Sequence, residues 1–324
     1  MNQEPEMPIQ PPGEPAPLPS TFRKIFFNQR ELRAGWRLSL YVVLGFLFLL
    51  SLQYAAVWLH LPLHTGKLAP TTMLIGEILG VIAVFGAAVV LGKFEHRTIG
   101  TYGLPAREAF RRRFWQGIVW GLVMITAMIL LIRAAGGFSF GQIALSHAAI
   151  LRYAVLWGLV FLMVGFFEEF LFRGYTQFTL ASGIGFWPAA IILSAGFGAT
   201  HLLNPGEGLV GALGVFVVAM FFCLTLRRTG NLWFAVGLHA SFDWGETFLY
   251  SVPNSGLVAP GHLFNSTLHG PRWLTGGTVG PEGSVMAFAV IGAAFILFAI
   301  LYRRPPQLPA TPSNDPSPIQ NPSS

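Results

Sequence analysis

Charge is scarce in this sequence. Of its 324 residues, 20 are Lys or Arg and 14 are Asp or Glu, so 10% are charged. An ordinary soluble domain carries about 25%. Hydrophobic residues make up 53%, and the mean hydropathy is +0.58. A chain so built cannot cover a soluble core with a polar surface, and its bulk is too apolar for a disordered protein. Cysteine is nearly missing as well. Cys223 stands alone, which excludes a disulfide scaffold. It has no neighbouring His and sits on an apolar face, as a packing residue does. Also lacking are a Gly-x-Ser-Gly nucleophile segment, a Gly-x-Gly-Asp aspartyl segment and a His-Glu-x-x-His metal helix. No internal repeat of the inverted-transporter kind is visible. Near the N-terminus no basic start leads into an early apolar core, so no signal peptide is expected.

What the sequence has instead is long apolar runs. Eight candidate spans lie at roughly 38–60, 72–92, 114–134, 150–172, 187–203, 208–226, 231–250 and 283–302. Each is near the ~20 residues that cross a bilayer core. The fifth and seventh are the least apolar. None shows strand alternation, which points to helices rather than a barrel. The expected fold is all-α, a polytopic membrane helical bundle with about eight transmembrane helices occupying 35–304. Residues 1–34 are expected to form a Pro-rich disordered tail and a basic cytoplasmic segment, and 305–324 a Pro/Ser-rich disordered tail. If the eight spans alternate, 15 of the basic residues fall on one side and four on the other, with Arg173 set aside. That asymmetry predicts both termini in the cytoplasm. The pI of 9.8 is read as a topology signal beside anionic lipid, not as nucleic-acid binding.

Ionisable residues at bilayer depth are costly and therefore candidates for function. Within the spans they are Glu77, Glu168, Glu169, Arg173, His201, His239, Asp243 and Glu246. Glu169 and Arg173 stand four apart and can pair on one helical face. Glu168, turned about 100° from its neighbour, is left to face a cavity. His239 and Asp243 are also four apart on one face; either the Asp orients the His, or both face a common polar cavity. Glu246 lies near the same stripe. Glu77 is expected to hydrogen-bond to a neighbouring helix rather than line that cavity. At ~1.5 Å per residue, Glu168 reaches the depth of His201, His239 and Asp243 only if the fourth helix runs on, long or bent, to about residue 180.

These residues form three motifs in order. They are Glu168-Glu169-x-x-x-Arg173, Phe197-x-x-x-His201 and His239-x-x-x-Asp243, each in its own span. Their pattern resembles the CPBP family, which contains the CAAX prenyl endopeptidases and the bacterial Abi-type intramembrane proteases. The resemblance covers about 145–250. Prenyl-processing members often carry Asn where this chain has Asp243, a departure that bears on substrate. The resemblance implies an intramembrane endopeptidase using Glu/His-activated water. Glu168 would be the general base, and His201 would hold the water directly or through a metal. His239 and Asp243 would stabilise the oxyanion or complete a ligand set, while Glu169 and Arg173 hold the site in shape. A zinc ion on His201, His239 and Glu168 is left open.

The implied partners are the lipid bilayer and a membrane-associated, lipid-modified or CAAX-like protein or peptide. The implied location is a bacterial plasma (inner) membrane. Two other classes compete: a proton- or cation-coupled transporter built on the same acids and histidines, and a non-catalytic membrane scaffold or immunity protein. The loop 251–282, with several Gly, Pro and Asn, is expected to cap the bundle.

Overall fold

The computed structural model describes residues 20–28, 31–63, 69–204 and 206–303. The expected disordered tails, together with Arg30, Lys67 and Arg304, lie outside the described residues. The described chain is mostly helical, with two short strand pairs and connecting loops. A short helix α1 (Ser20–Phe26) leads into β1 (Phe27–Asn28), which pairs antiparallel with β2 (Glu31–Leu32). The long helices α2 (Ala34–Trp58), α3 (Pro70–Phe94) and α4 (Arg112–Ala134) follow. Then β3 (Phe138–Ser139) precedes α5 (His147–Arg173), α6 (Tyr175–Ile184), α7 (Phe186–His201), α8 (Leu209–Thr229) and α9 (Trp233–Trp244). The chain returns through β4 (Thr267–Leu268), antiparallel to β3, then α10 (Arg272–Thr275) and α11 (Val285–Leu301).

Every one of the eight apolar runs contains a helix. Five helical stretches are long and apolar enough to cross a membrane: α2, α3, α4, the 38-residue stretch His147–Ile184 formed by α5 and α6, and α8. The apolar helix α11 is shorter, at 17 residues. The 16 residues of α7 and 12 of α9 are shorter still. The reason differs for α9. Every residue from Trp233 to Ser241 is buried, so protein rather than lipid encloses that part of α9 on all sides.

Glycine sets how closely α4 and α9 approach. Gly117 and Gly121 stand one turn apart on α4. A Cβ on Gly117 would fall on the Phe234 carbonyl, and one on Gly121 on the Leu238 carbonyl and Ser241 hydroxyl. From the other side, a Cβ on Gly237 would meet the Phe114 carbonyl. Without a hydrophobic drive between helices in lipid, such small-residue faces supply the packing. Ser241 Oγ also donates to the Ile118 carbonyl at 3.0 Å, an interhelical bond worth about 0.6 kcal/mol on average. Between α7 and α8, Gly198 allows the same closeness to the Ala212 carbonyl, whereas Gly196 faces open space.

The fourth span is both long and broken. Gly174, with ψ −118°, separates α5 from α6, and a Cβ there would collide with the Phe170 carbonyl and ring. Just beyond the break, Tyr175 joins a polar knot at the ends of α2 and α3. Glu95 accepts from Arg37 Nε at 2.9 Å, from Tyr102 at 2.7 Å, and from Arg37 Nη2 and Tyr175. Burial pushes the Glu95 carboxyl up, but the bonds from Arg37, Tyr175 and Tyr102 outweigh it and hold the carboxyl below its ordinary range. The knot fixes the start of α6 against α2 and α3.

Candidate active site

A cavity of about 250 Å³ opens among α3, α4, α5, α7, α8, α9 and α11. Its wall is largely apolar, with Met124, Trp157, Phe161 and Phe222 among its lining residues. Into this wall are set Glu168 from α5, His201 from α7, and His239 and Asp243 from α9. The four residues come from three separate helices, at positions 33 or more apart for α5, α7 and α9, and they share one chamber.

Each motif can be followed into the chamber. On α5, Glu169 and Arg173 form the expected pair: Nη1 donates to Oε1 at 3.3 Å, with both side chains buried. Arg173 also lies over the Phe197 ring at 4.4 Å and the Phe222 ring at 5.3 Å. A buried guanidinium is thus held by one carboxylate and two aromatic faces. The pair is not saturated, since Glu169 Oε2 and Arg173 Nη2 have no hydrogen-bond partner among the described residues. Glu168, as its helical angle requires, turns to the cavity instead.

Between the sequence's two readings of His239 and Asp243, the geometry favours the shared cavity. His239 Nδ1 lies 2.9 Å from Glu169 Oε1, so Glu169, not Asp243, orients the ring. The carboxylate accepts, which places a proton on Nδ1. The ring stacks on Phe222 with centroids 5.3 Å apart. Its other nitrogen, Nε2, looks into the chamber between Glu168 Oε2 at 3.6 Å and Asp243 Oδ2 at 3.5 Å. His201 is fixed in the same fashion. Its Nδ1 donates to the Phe197 carbonyl at 2.9 Å, which leaves Nε2 as the free acceptor. Both imidazoles are therefore tethered at Nδ1 and present Nε2.

Two expectations require correction. Glu77 makes no hydrogen bond among the described residues; it lines the cavity beside Met73, where it was expected to bond to a neighbouring helix. Glu246 does not continue the His239–Asp243 stripe into the chamber. After Trp244 the helix widens to a π-turn over Gly245–Leu249, which changes the angular spacing. Glu246 ends fully buried outside the cavity lining, against Glu282.

The sequence reading also missed the cavity's roof. Asn254, Ser255, Leu257 and Ala259 line the chamber, as does Glu282 just before α11. The Ser255 amide donates to Glu282, and Asn254 Nδ2 to Thr247 Oγ1 at 3.2 Å. Burial raises the Glu282 carboxyl above its ordinary range, with hydrogen bonds acting in the opposite direction. Apart from the general expectation of a cap, no periodicity or motif pointed to these loop positions.

For zinc, the donor types suit and the grouping does not. Tetrahedral zinc needs three or four donors at about 2.0–2.3 Å from one point. Among the described residues, no three His, Cys, Asp or Glu side chains are grouped closely enough to hold a metal ion.

Comparison with known proteins bears on the same segment. Residues 150–245 match the family of Rce1-like proteins, described as type II CAAX prenyl endopeptidase Rce1-like. No curated protein matches the chain. The matched segment runs from the start of α5 to the end of α9 and contains all three motifs.

Proposed function

We propose that the chain is an intramembrane endopeptidase of the Rce1-like CAAX protease kind, a reading supported by the family match over residues 150–245. It hydrolyses a peptide bond in a membrane-associated, lipid-modified or CAAX-like protein or peptide. The carrying observation is that Glu168, His201, His239 and Asp243, all within the family-matched segment, line one largely apolar cavity.

Peptide hydrolysis needs an activated water and a stabiliser for the developing oxyanion. Glu168 accepts the proton of a water held between its carboxylate and the free Nε2 of His201. The hydroxide attacks the scissile carbonyl carbon. His239, held at Nδ1 by the Glu169 carboxylate, carries a second proton on Nε2, and this N–H together with the O–H of a protonated Asp243 donates to the developing oxyanion. Glu169 and Arg173 touch no reacting atom; they hold His239 in position. The apolar lining keeps bulk water away, so these few charges act in a low dielectric.

The membrane arrangement belongs to the same proposal. α2, α3, α4, α5–α6, α7, α8, α9 with its π-turn, and α11 make eight spans, both termini face the cytoplasm, and the membrane is a bacterial plasma membrane. Comparative proteomics of membranes carrying the wild type or Glu168→Ala tests the function. A membrane protein cleaved only with the wild type is the expected result. The same fragments in both membranes would overturn the proposal.

A further inference from the structure

We propose that Glu77 is a second catalytic carboxyl of this site, the general acid that protonates the leaving amine. This inference rests on the endopeptidase reading and adds a residue that lies outside the family-matched segment.

Glu77 belongs to α3, far in sequence from the three motifs. It nevertheless lines the same cavity as Glu168 and His239. Met73, one turn before it, lines the cavity too. Gly80, next along that face of α3, abuts the Phe167 ring of α5, where an added Cβ would come within 3.1 Å. The residue after Phe167 is Glu168. The close α3–α5 contact thus fixes Glu77 on the wall beside the proposed base. No hydrogen bond or salt bridge reaches Glu77 among the described residues, so it has no structural duty as a bonded partner. An unpaired carboxyl among apolar side chains is least costly in its neutral form, and the neutral form can give a proton away.

Peptide hydrolysis has a place for such a group. Glu168 takes one proton from water as the new C–O bond forms and the carbonyl π pair moves onto oxygen. When the oxyanion collapses, the C–N bond breaks and nitrogen keeps its electron pair. Glu77 delivers its proton to that nitrogen and becomes a carboxylate, and the amine leaves neutral. The proton on Glu168 then returns to Glu77, directly or through solvent. Acid and base are two carboxyls on different walls of one cavity, the usual division of labour where two carboxyls share a site.

The test is leaving-group dependence in the purified full-length protein in proteoliposomes. Two membrane-tethered substrates differ only at the scissile bond, one an amide and the other an ester with a phenolic leaving group. Phenolate departs without a proton, so the ester does not need the acid. Glu77→Gln is expected to lower kcat on the amide on the order of 10²-fold or more and to stay within a few-fold of wild type on the ester. Glu77→Asp is expected to retain part of the amide activity. Glu168→Gln, which removes the base, is expected to lose both. Gly76→Ala, whose added methyl meets open space, serves as the folding control on the same helix. Equal loss on both substrates, or full amide activity in Glu77→Gln, would overturn the role of Glu77 and leave the endopeptidase reading intact. A wild type that hydrolyses neither substrate would overturn both.

Discussion

Replacing Glu169 by Gln tests the internal logic of the site most severely. The carboxylate accepts from His239 Nδ1 at 2.9 Å and from Arg173 Nη1 at 3.3 Å, and it is fully buried. Glutamine keeps the shape and an acceptor oxygen but removes the charge, leaving Arg173 buried without a counter-ion. Breaking a buried pair from one side costs about 3–5 kcal/mol. The bond to His239 also changes from charge-assisted to neutral, a loss of about 1 kcal/mol. The aromatic faces of Phe197 and Phe222 stay in place and soften the result, so a loss of about 3 kcal/mol is expected. Denaturant titration of the detergent-purified protein would read it. Adding Arg173→Met removes the stranded charge, and the double variant is expected to recover most of the stability, because apolar replacement of a whole buried pair is close to neutral. Cleavage is expected to remain impaired, since His239 is still no longer held by a carboxylate. Wild-type stability in the single variant would refute the reasoning, as would a double variant less stable than the single one.

Two further predictions concern the scaffold. Gly121→Ala pushes a methyl into the Leu238 carbonyl and Ser241 hydroxyl and is expected to cost about 1–3 kcal/mol. Gly292→Ala on α11, with nothing within 4 Å of its added methyl, should be neutral; paired thermal melts compare them. Glu95, whose folded carboxyl titrates below its ordinary 4.5, gives a stability contribution that is present above that value and lost as pH falls through the folded pKa. The Tm gap between wild type and Glu95→Gln should therefore hold steady above about pH 5 and close in more acid buffer. A gap that widens on acidification would contradict the knot's role.

Much of this was legible in the sequence, for identifiable reasons. Long apolar runs leave few options but helices, and all eight contain one. The i,i+4 spacing of Glu169 and Arg173 was enough to foresee their pair and the turning of Glu168 to the cavity. The need for a long or bent fourth helix is met by the break at Gly174 and the continuation to Ile184. Long-range contacts were not legible. His239 and Glu169 are 70 residues apart, and nothing local marks Glu169 over Asp243 as the partner of the ring. The π-turn that carries Glu246 away from the chamber leaves no trace in a pattern read at 3.6 residues per turn. Glu77 was visible as an acid in an apolar run, but its direction depends on which face of α3 meets α5. That face is set by Gly80 and Phe167, in a helix too uniformly apolar to show one.

The central claim is that Glu168 activates water in this cavity. The direct measurement is cleavage of a membrane-tethered peptide by purified protein in liposomes, wild type against Glu168→Gln, with both proteins shown to be folded. Product from the wild type and none from Glu168→Gln is the predicted result; equal product from both would contradict the account.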